Sequence, residues 1–92
     1  MKNNISIEYC PKCGWLIRAA WMAQELLTTF DTEISQVALI PSATGGKFEV
    51  KVNEKVVFDR KSEGQFVEIK VLKQIIRDVV APDKNLGHSD RH

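Results

Sequence analysis

Ninety-two residues make one domain near the lower end of what can bury its own core, and leave no room for a second independent fold. Lys and Arg number 13 against 12 Asp and Glu, a formal net charge of +1, so the basic excess that phosphate backbones require is missing and nucleic acid is not an expected partner. No run approaches the ~20 apolar residues of a membrane span, and Met1-Lys2-Asn3-Asn4-Ile5 opens no apolar stretch of the kind that precedes a leader cleavage site. The expectation is a cytoplasmic protein without membrane association.

Ile5, Ile7 and Tyr9 alternate with Ser6 and Glu8, the period-2 pattern of a strand with one face on a core. Over about residues 14–30 the pattern turns helical: Leu16, Ala19, Ala20, Ala23, Leu27 and Phe30 fall on one stripe, while Arg18 and Glu25 point away. Pro11 suits the entrance of this helix, where its missing N–H would have had no partner. Asp31 and Thr32 close the segment, and residues 34–40 read as a second strand with Val37 and Leu39 on one side. Pro41-Ser42-Ala43-Thr44-Gly45-Gly46 is a loop by composition. Phe48, Val50 and Val52, followed by residues 56–58, make a hairpin around Asn53-Glu54, although Asn-Gly would be a stronger turn signal. After a break at Ser62-Glu63-Gly64, Ile69, Leu72, Ile76, Val79 and Val80 recur at helical spacing and predict a second helix over residues 65–80, stopped by Pro82. The polar residues 83–92 are expected to be mobile or loosely docked, which makes residues 1–82 the single domain.

The order is β-α-β-β-β-α. A helix between the first two strands lets them pair in parallel through a right-handed crossover, and the last two pair antiparallel. The expected fold is α/β: a four-stranded mixed sheet with two helices, the minimal thioredoxin-like arrangement.

Tyr9-Cys10-Pro11-Lys12-Cys13-Gly14 lies between the first strand and the first helix and holds the only two cysteines. Two thiols at this spacing, in this context, suit disulfide exchange. A thiol attacks only as thiolate, and a helix start with its unpaired N–H groups favours the charged sulfur, as does Lys12 nearby. One cysteine attacks a substrate disulfide and the other resolves the mixed disulfide. Helix-start geometry in general favours Cys10 as the attacking thiol.

Competing readings are weaker. His88 and His92 could complete a zinc site with the cysteines, but the intervening segment far exceeds finger spacing. His88-Ser89-Asp90 cannot converge as a triad from adjacent positions, and Gly45-Gly46 lacks the following Lys and Ser or Thr of a phosphate loop. Ile17 and Trp21 lie off the helix stripe near the cysteines and form a possible partner surface, unless the second helix or the tail covers them.

The segments Ile7-Glu8-Tyr9-Cys10-Pro11-Lys12-Cys13-Gly14 and Thr44-Gly45-Gly46-Lys47-Phe48-Glu49-Val50, with the basic C-terminal helix and the Leu86-Gly87-His88-Ser89-Asp90 ending, resemble the Rdx family, the selenoprotein W, T and H group, and its bacterial selenoprotein W-like members above all. The resemblance implies a thioredoxin-like fold and a thiol-based oxidoreductase role linked to glutathione or to protein partners. In its selenium-containing members selenocysteine stands where Cys13 stands here, which implies that Cys13 attacks. The turn Thr44, Gly45, Gly46 occupies the region where thioredoxins carry a proline facing the active site, so thioredoxin substrate contacts do not transfer directly.

The leading expectation is therefore a thiol–disulfide oxidoreductase cycling Cys10 and Cys13 between dithiol and disulfide. Protein thiols or disulfides are the expected partners, glutathione a possible cosubstrate, and no bound cofactor or metal is expected. The alternatives are a redox-sensing binding module without turnover and a small zinc-binding structural domain.

Overall fold

The computed structural model describes residues 2–87. Its elements are β1 (Asn3–Tyr9), α1 (Leu16–Thr29), β2 (Ile34–Pro41), β3 (Phe48–Val52), β4 (Lys55–Asp59), α2 (Arg60–Glu63) and α3 (Ile69–Val80). The sheet runs β2-β1-β3-β4. β1 pairs with β2 in parallel and with β3 antiparallel, and β3 pairs antiparallel with β4. This is the four-stranded mixed sheet of a thioredoxin-like α/β fold, with three helices where the sequence predicts two.

Alternation places one side chain of each pair on the core. Ile5, Ile7 and Tyr9 of β1 and Phe48, Val50 and Val52 of β3 are buried together with the inward residues of α1 and α3 in one cluster. Both long helices therefore pack on the same sheet face. They are also tied to each other by Lys73 Nζ to Glu25 Oε1 at 2.9 Å. On the opposite face Asn4, Ser6, Glu8, Gln36, Ala38, Ile40, Glu49 and Lys51 line a shallow groove that no helix among the described residues covers.

Three expectations need correction. The buried stripe of α1 is Ala19, Met22, Ala23 and Leu26, continued by Phe30, while Leu16, Ala20 and Leu27 are exposed, Leu16 by 47% and Leu27 by 43%. Apolar residues lie all around this helix, so two neighbouring stripes both satisfy three-and-four spacing, and contact with the sheet selects between them. The helix also begins at Leu16, after a turn that contains Pro11, so Pro11 does not open it. Finally, the expected helix over residues 65–80 is α3 alone, beginning only at Ile69, and a short helix that the sequence does not predict, α2, precedes it. Asp59 caps α2 by accepting from Lys61 N–H, and Gly64 ends it with φ of 78°, a left-handed conformation that suits glycine. Phe66 and Val67 then cross toward the core outside either helix, and α3 starts four residues later than predicted.

The hairpin turns on Asn53 and Glu54, both at positive φ (50° and 71°), which is the two-residue geometry that matches strand twist. Asn53 also exchanges hydrogen bonds with β1: its N–H donates to the Asn4 carbonyl at 2.8 Å and its Oδ1 accepts from Asn4 N–H at 2.9 Å. Past α3, Leu86 packs against the core and Lys84 pairs with Glu33 at 3.2 Å, so this part of the chain is docked. His88 and His92, and the His88-Ser89-Asp90 run, lie outside the described residues.

Candidate functional site

β1, β2 and β3 bring their ends to one level: Tyr9 is opposite Pro41 on one side and Phe48 on the other. The cysteines follow Tyr9 directly, and Ser42 N–H donates to the Tyr9 carbonyl at 2.8 Å, so the loop after β2 rises beside them. Between Cys10 and α1 the chain makes a compact turn. Gly14 N–H donates to the Pro11 carbonyl at 3.1 Å and Trp15 N–H to the Cys10 carbonyl at 3.4 Å. Gly14 has φ of 76°, a conformation at which a side chain would strain the backbone immediately after Cys13.

Cys10 and Cys13 form a disulfide, with Cα atoms 5.3 Å apart. The two sulfurs sit in unlike surroundings. Cys10 is 2% exposed and Cys13 is exposed. Cys13 also lies two residues ahead of the α1 N-cap residue Trp15, which makes no side-chain cap. The pair therefore precedes the first helical turn instead of lying in it. What the turn imposes is an order of exposure: an outer sulfur open to solvent and an inner one covered by the fold.

Ile17 is 82% exposed and Trp21 45%, and with Gly14, Trp15 and Arg18 they line a shallow hollow beside Cys13, so neither α3 nor the described residues after it cover them. Thr44, Gly45 and Gly46 face a different neighbour, the start of α2: with Lys47 they line a groove whose far wall is Asp59, Arg60 and Lys61. Among the described residues no three His, Cys, Asp or Glu side chains converge as a metal site.

Sequence reasoning missed the aromatic and cationic cluster under this region. Trp15, Phe48 and Phe66 meet edge to face, with centroids 4.9 to 6.2 Å apart. The Arg18 guanidinium lies 4.0 Å from the Phe66 ring, and that of Arg60 lies 4.8 Å from both Trp15 and Phe66. The only hint in the sequence is Trp15 in a position too early for the helix stripe.

A mixed sheet whose first strand delivers a Cys-x-x-Cys pair to a turn before the first helix defines a thioredoxin-like protein with a dithiol–disulfide centre. A profile of the Rdx family matches residues 4–78. The chain belongs to the Rdx family. Among solved structures, the selenoprotein W-related protein of Vibrio cholerae is 51% identical, with a TM-score of 0.83 over 87% of this chain and 99% of that one. A protein of Bordetella parapertussis is likewise 51% identical, with a TM-score of 0.82 over 86% of this chain and 99% of that one. No curated protein matches.

Proposed function

We propose that the chain is a thiol–disulfide oxidoreductase in which Cys13 attacks and Cys10 resolves. The observation that carries this reading is the difference in exposure between the two sulfurs. In the reduced protein the Cys13 thiolate attacks one sulfur of a substrate disulfide, forming a mixed disulfide and releasing the first substrate thiolate. Cys10, once deprotonated, then attacks Cys13 Sγ, closes the Cys10–Cys13 bond and releases the second. The protein gives up two electrons and two protons, and the substrate disulfide becomes two thiols. Two thiols of a donor such as glutathione reverse the change by attack at the exposed Cys13 Sγ, leaving as an oxidised disulfide. A reducing cytoplasm is the matching compartment, because there a two-cysteine pair turns over instead of remaining closed.

For a protein disulfide as substrate, the exposed Ile17 and Trp21 provide an apolar contact next to the reacting sulfur. The same exposure favours a second reading, in which the disulfide state alone changes how a partner fits this surface. The two are separated by glutathione-coupled reduction of a disulfide substrate, followed for Cys10→Ser and Cys13→Ser. Loss of turnover in Cys13→Ser and a trapped mixed disulfide on Cys13 in Cys10→Ser are the expected results. Unchanged turnover in both variants overturns the proposal, and absence of turnover in the unaltered protein leaves the sensor.

A further inference from the structure

The two edges of the sheet are built differently. β4 carries the guards of an open edge: it is five residues long, begins with Lys55 and ends with Asp59, and its register against β3 shifts between Val50 and Lys51. β2, the other edge, is eight residues long and has no charged residue. Its register against β1 shifts only at the start, between Asn3 and Asn4, and its proline is its last residue. Among the described residues no strand pairs with its outer side. Ser42 N–H donates to the Tyr9 carbonyl, so by alternation along the strand the backbone groups of Val37 and Leu39 point away from β1, to the open side.

α1 continues this surface. Leu16, Ala20 and Leu27 are apolar and exposed, and at 3.6 residues per turn they lie roughly 80° round the helix from the buried stripe, on the flank opposite Arg18 and Glu25. Arg18 stacks on Phe66 and Glu25 pairs with Lys73, so the flank of Arg18 and Glu25 faces α3. The flank of Leu16, Ala20 and Leu27 therefore overhangs the edge of β2, against which α1 packs. Leu39, opposite the buried Ile7 in register, stands on the same side of the sheet and is 36% exposed. Eight strand residues make this edge about 26 Å long, and the molecule is 20 Å thick. That is on the order of 500 Å² in plan for each copy, or about 1,000 Å² for a pair, the size at which specific association begins.

We infer that a second copy of this chain pairs antiparallel with β2 across a two-fold axis at Ala38, joining the two four-stranded sheets into one. Three properties select a copy of the same chain as the occupant. A strand without charge meets no like charge when set against itself. A two-fold at Ala38 sets Val37 of one copy against Leu39 of the other on the helix side, where the outward backbone groups of both residues bond reciprocally. Above them the two α1 helices run antiparallel, Leu16 of each over Leu27 of the other, with Ala20 at the crossing, where small side chains let the backbones approach. Because β2 runs parallel to β1, this pairing sends the two Cys10–Cys13 centres to opposite ends of the joined sheet. Ile17 and Trp21, further round α1, stay uncovered, so the association is independent of the cysteine chemistry.

The test is sedimentation equilibrium of the full chain carrying Cys10→Ser and Cys13→Ser, which cannot link copies through sulfur, from low micromolar to submillimolar concentration. A concentration-dependent dimer is expected. Leu39→Lys gives β2 the kind of guard that β4 has, and Ala20→Glu puts a charge at an exposed position of α1; each is expected to weaken the dimer about tenfold or more. The second variant keeps the test decisive if the first fails to fold. Val56→Lys, at an exposed position of β4, is expected to leave the dimer unchanged. In the same background Ala38→Cys, treated with the thiol oxidant diamide, should give a covalent dimer, because opposed Cα atoms of a non-hydrogen-bonded pair lie about 4.5 Å apart, within disulfide reach. A monomer at every concentration, a dimer indifferent to both Leu39→Lys and Ala20→Glu, or a dimer lost in Val56→Lys would overturn the inference. So would a monomer whose Val37 and Leu39 amides exchange with solvent as slowly as those of β1, since the chain's own residues 88–92 would then cover the edge. A monomer whose β2 amides shift on titration with an uncharged strand-forming peptide would assign the edge to a different protein and overturn it as well.

Discussion

The accessibility order of the two cysteines can be measured directly. In the reduced Cys10→Ser chain the remaining thiol is Cys13, at the surface; in the reduced Cys13→Ser chain it is Cys10, 2% exposed at the end of β1. Reaching Cys10 requires the turn to open, which breaks the Trp15 N–H to Cys10 carbonyl bond and disturbs the packing of Trp15 on Phe48 and Phe66. An opening of this local kind costs on the order of 2 to 4 kcal/mol, and at 1.4 kcal/mol per decade it slows reaction by about 30- to 700-fold. The assay is alkylation by iodoacetamide, followed by mass, with each rate divided by that thiol's own thiolate fraction from a pH series. The division matters because a difference in pKa would otherwise imitate a difference in access. Corrected rates within threefold of each other, or faster reaction of Cys10, would refute both the accessibility order and the assignment of Cys13 as the attacking thiol.

Three further outcomes are expected. Reduction of the disulfide should lower stability by about 2 kcal/mol, the loop-closure value for so short a ring, seen as a fall of roughly 8 to 15 °C in Tm with and without dithiol reductant; an unchanged Tm would contradict it. Glu54→Gly should raise stability by up to about 1 kcal/mol in urea unfolding, since glycine adopts the φ of 71° at that turn position freely. Lys47 is held above its ordinary 10.5 by the hydrogen bond its ammonium donates to the Glu49 carboxylate, opposed by burial and aided by the charges of Glu49, Glu8 and Asp59. Its contribution to stability is therefore fully present below 10.5 and lost as pH rises through the raised value. In Glu49→Gln the Lys47 titration followed by NMR should move down toward 10.5.

What the sequence disclosed and what it concealed divide along physical lines. β1 and β3 were legible because their apolar residues occur at every second position and nowhere else, and a strand with one wet face leaves no other reading. The stripe of α1 was not, because Leu16, Ile17, Ala20, Trp21 and Leu27 supply apolar surface off the core and blur the phase of the pattern. α2 has no apolar face at all; it exists because Asp59 starts it and Gly64 ends it, a capping signal too short for periodicity to register. The cysteine pair stood out by residue type. Which sulfur faces solvent did not, since burial of Cys10 depends on how β1 meets the turn and the helices above it. The stacking of Arg60 on Trp15 and Phe66 joins three distant stretches of chain and is a product of the completed fold.

The uncovered face of the sheet bears on how this protein keeps company with copies of itself. Glu8 and Glu49 sit directly across from each other on neighbouring strands, a repulsive pairing relieved by Lys47 and Lys51 on either side of Glu49. Two copies meeting sheet to sheet would strip water from all of these charges at once, at a cost of several kcal/mol per ion. In a plate only 20 Å thick, that disfavours contact between copies through one broad side, although Ile40 is exposed there. Contact through the helix side carries no such cost, and that is where Ile17 and Trp21 stand exposed beside Cys13.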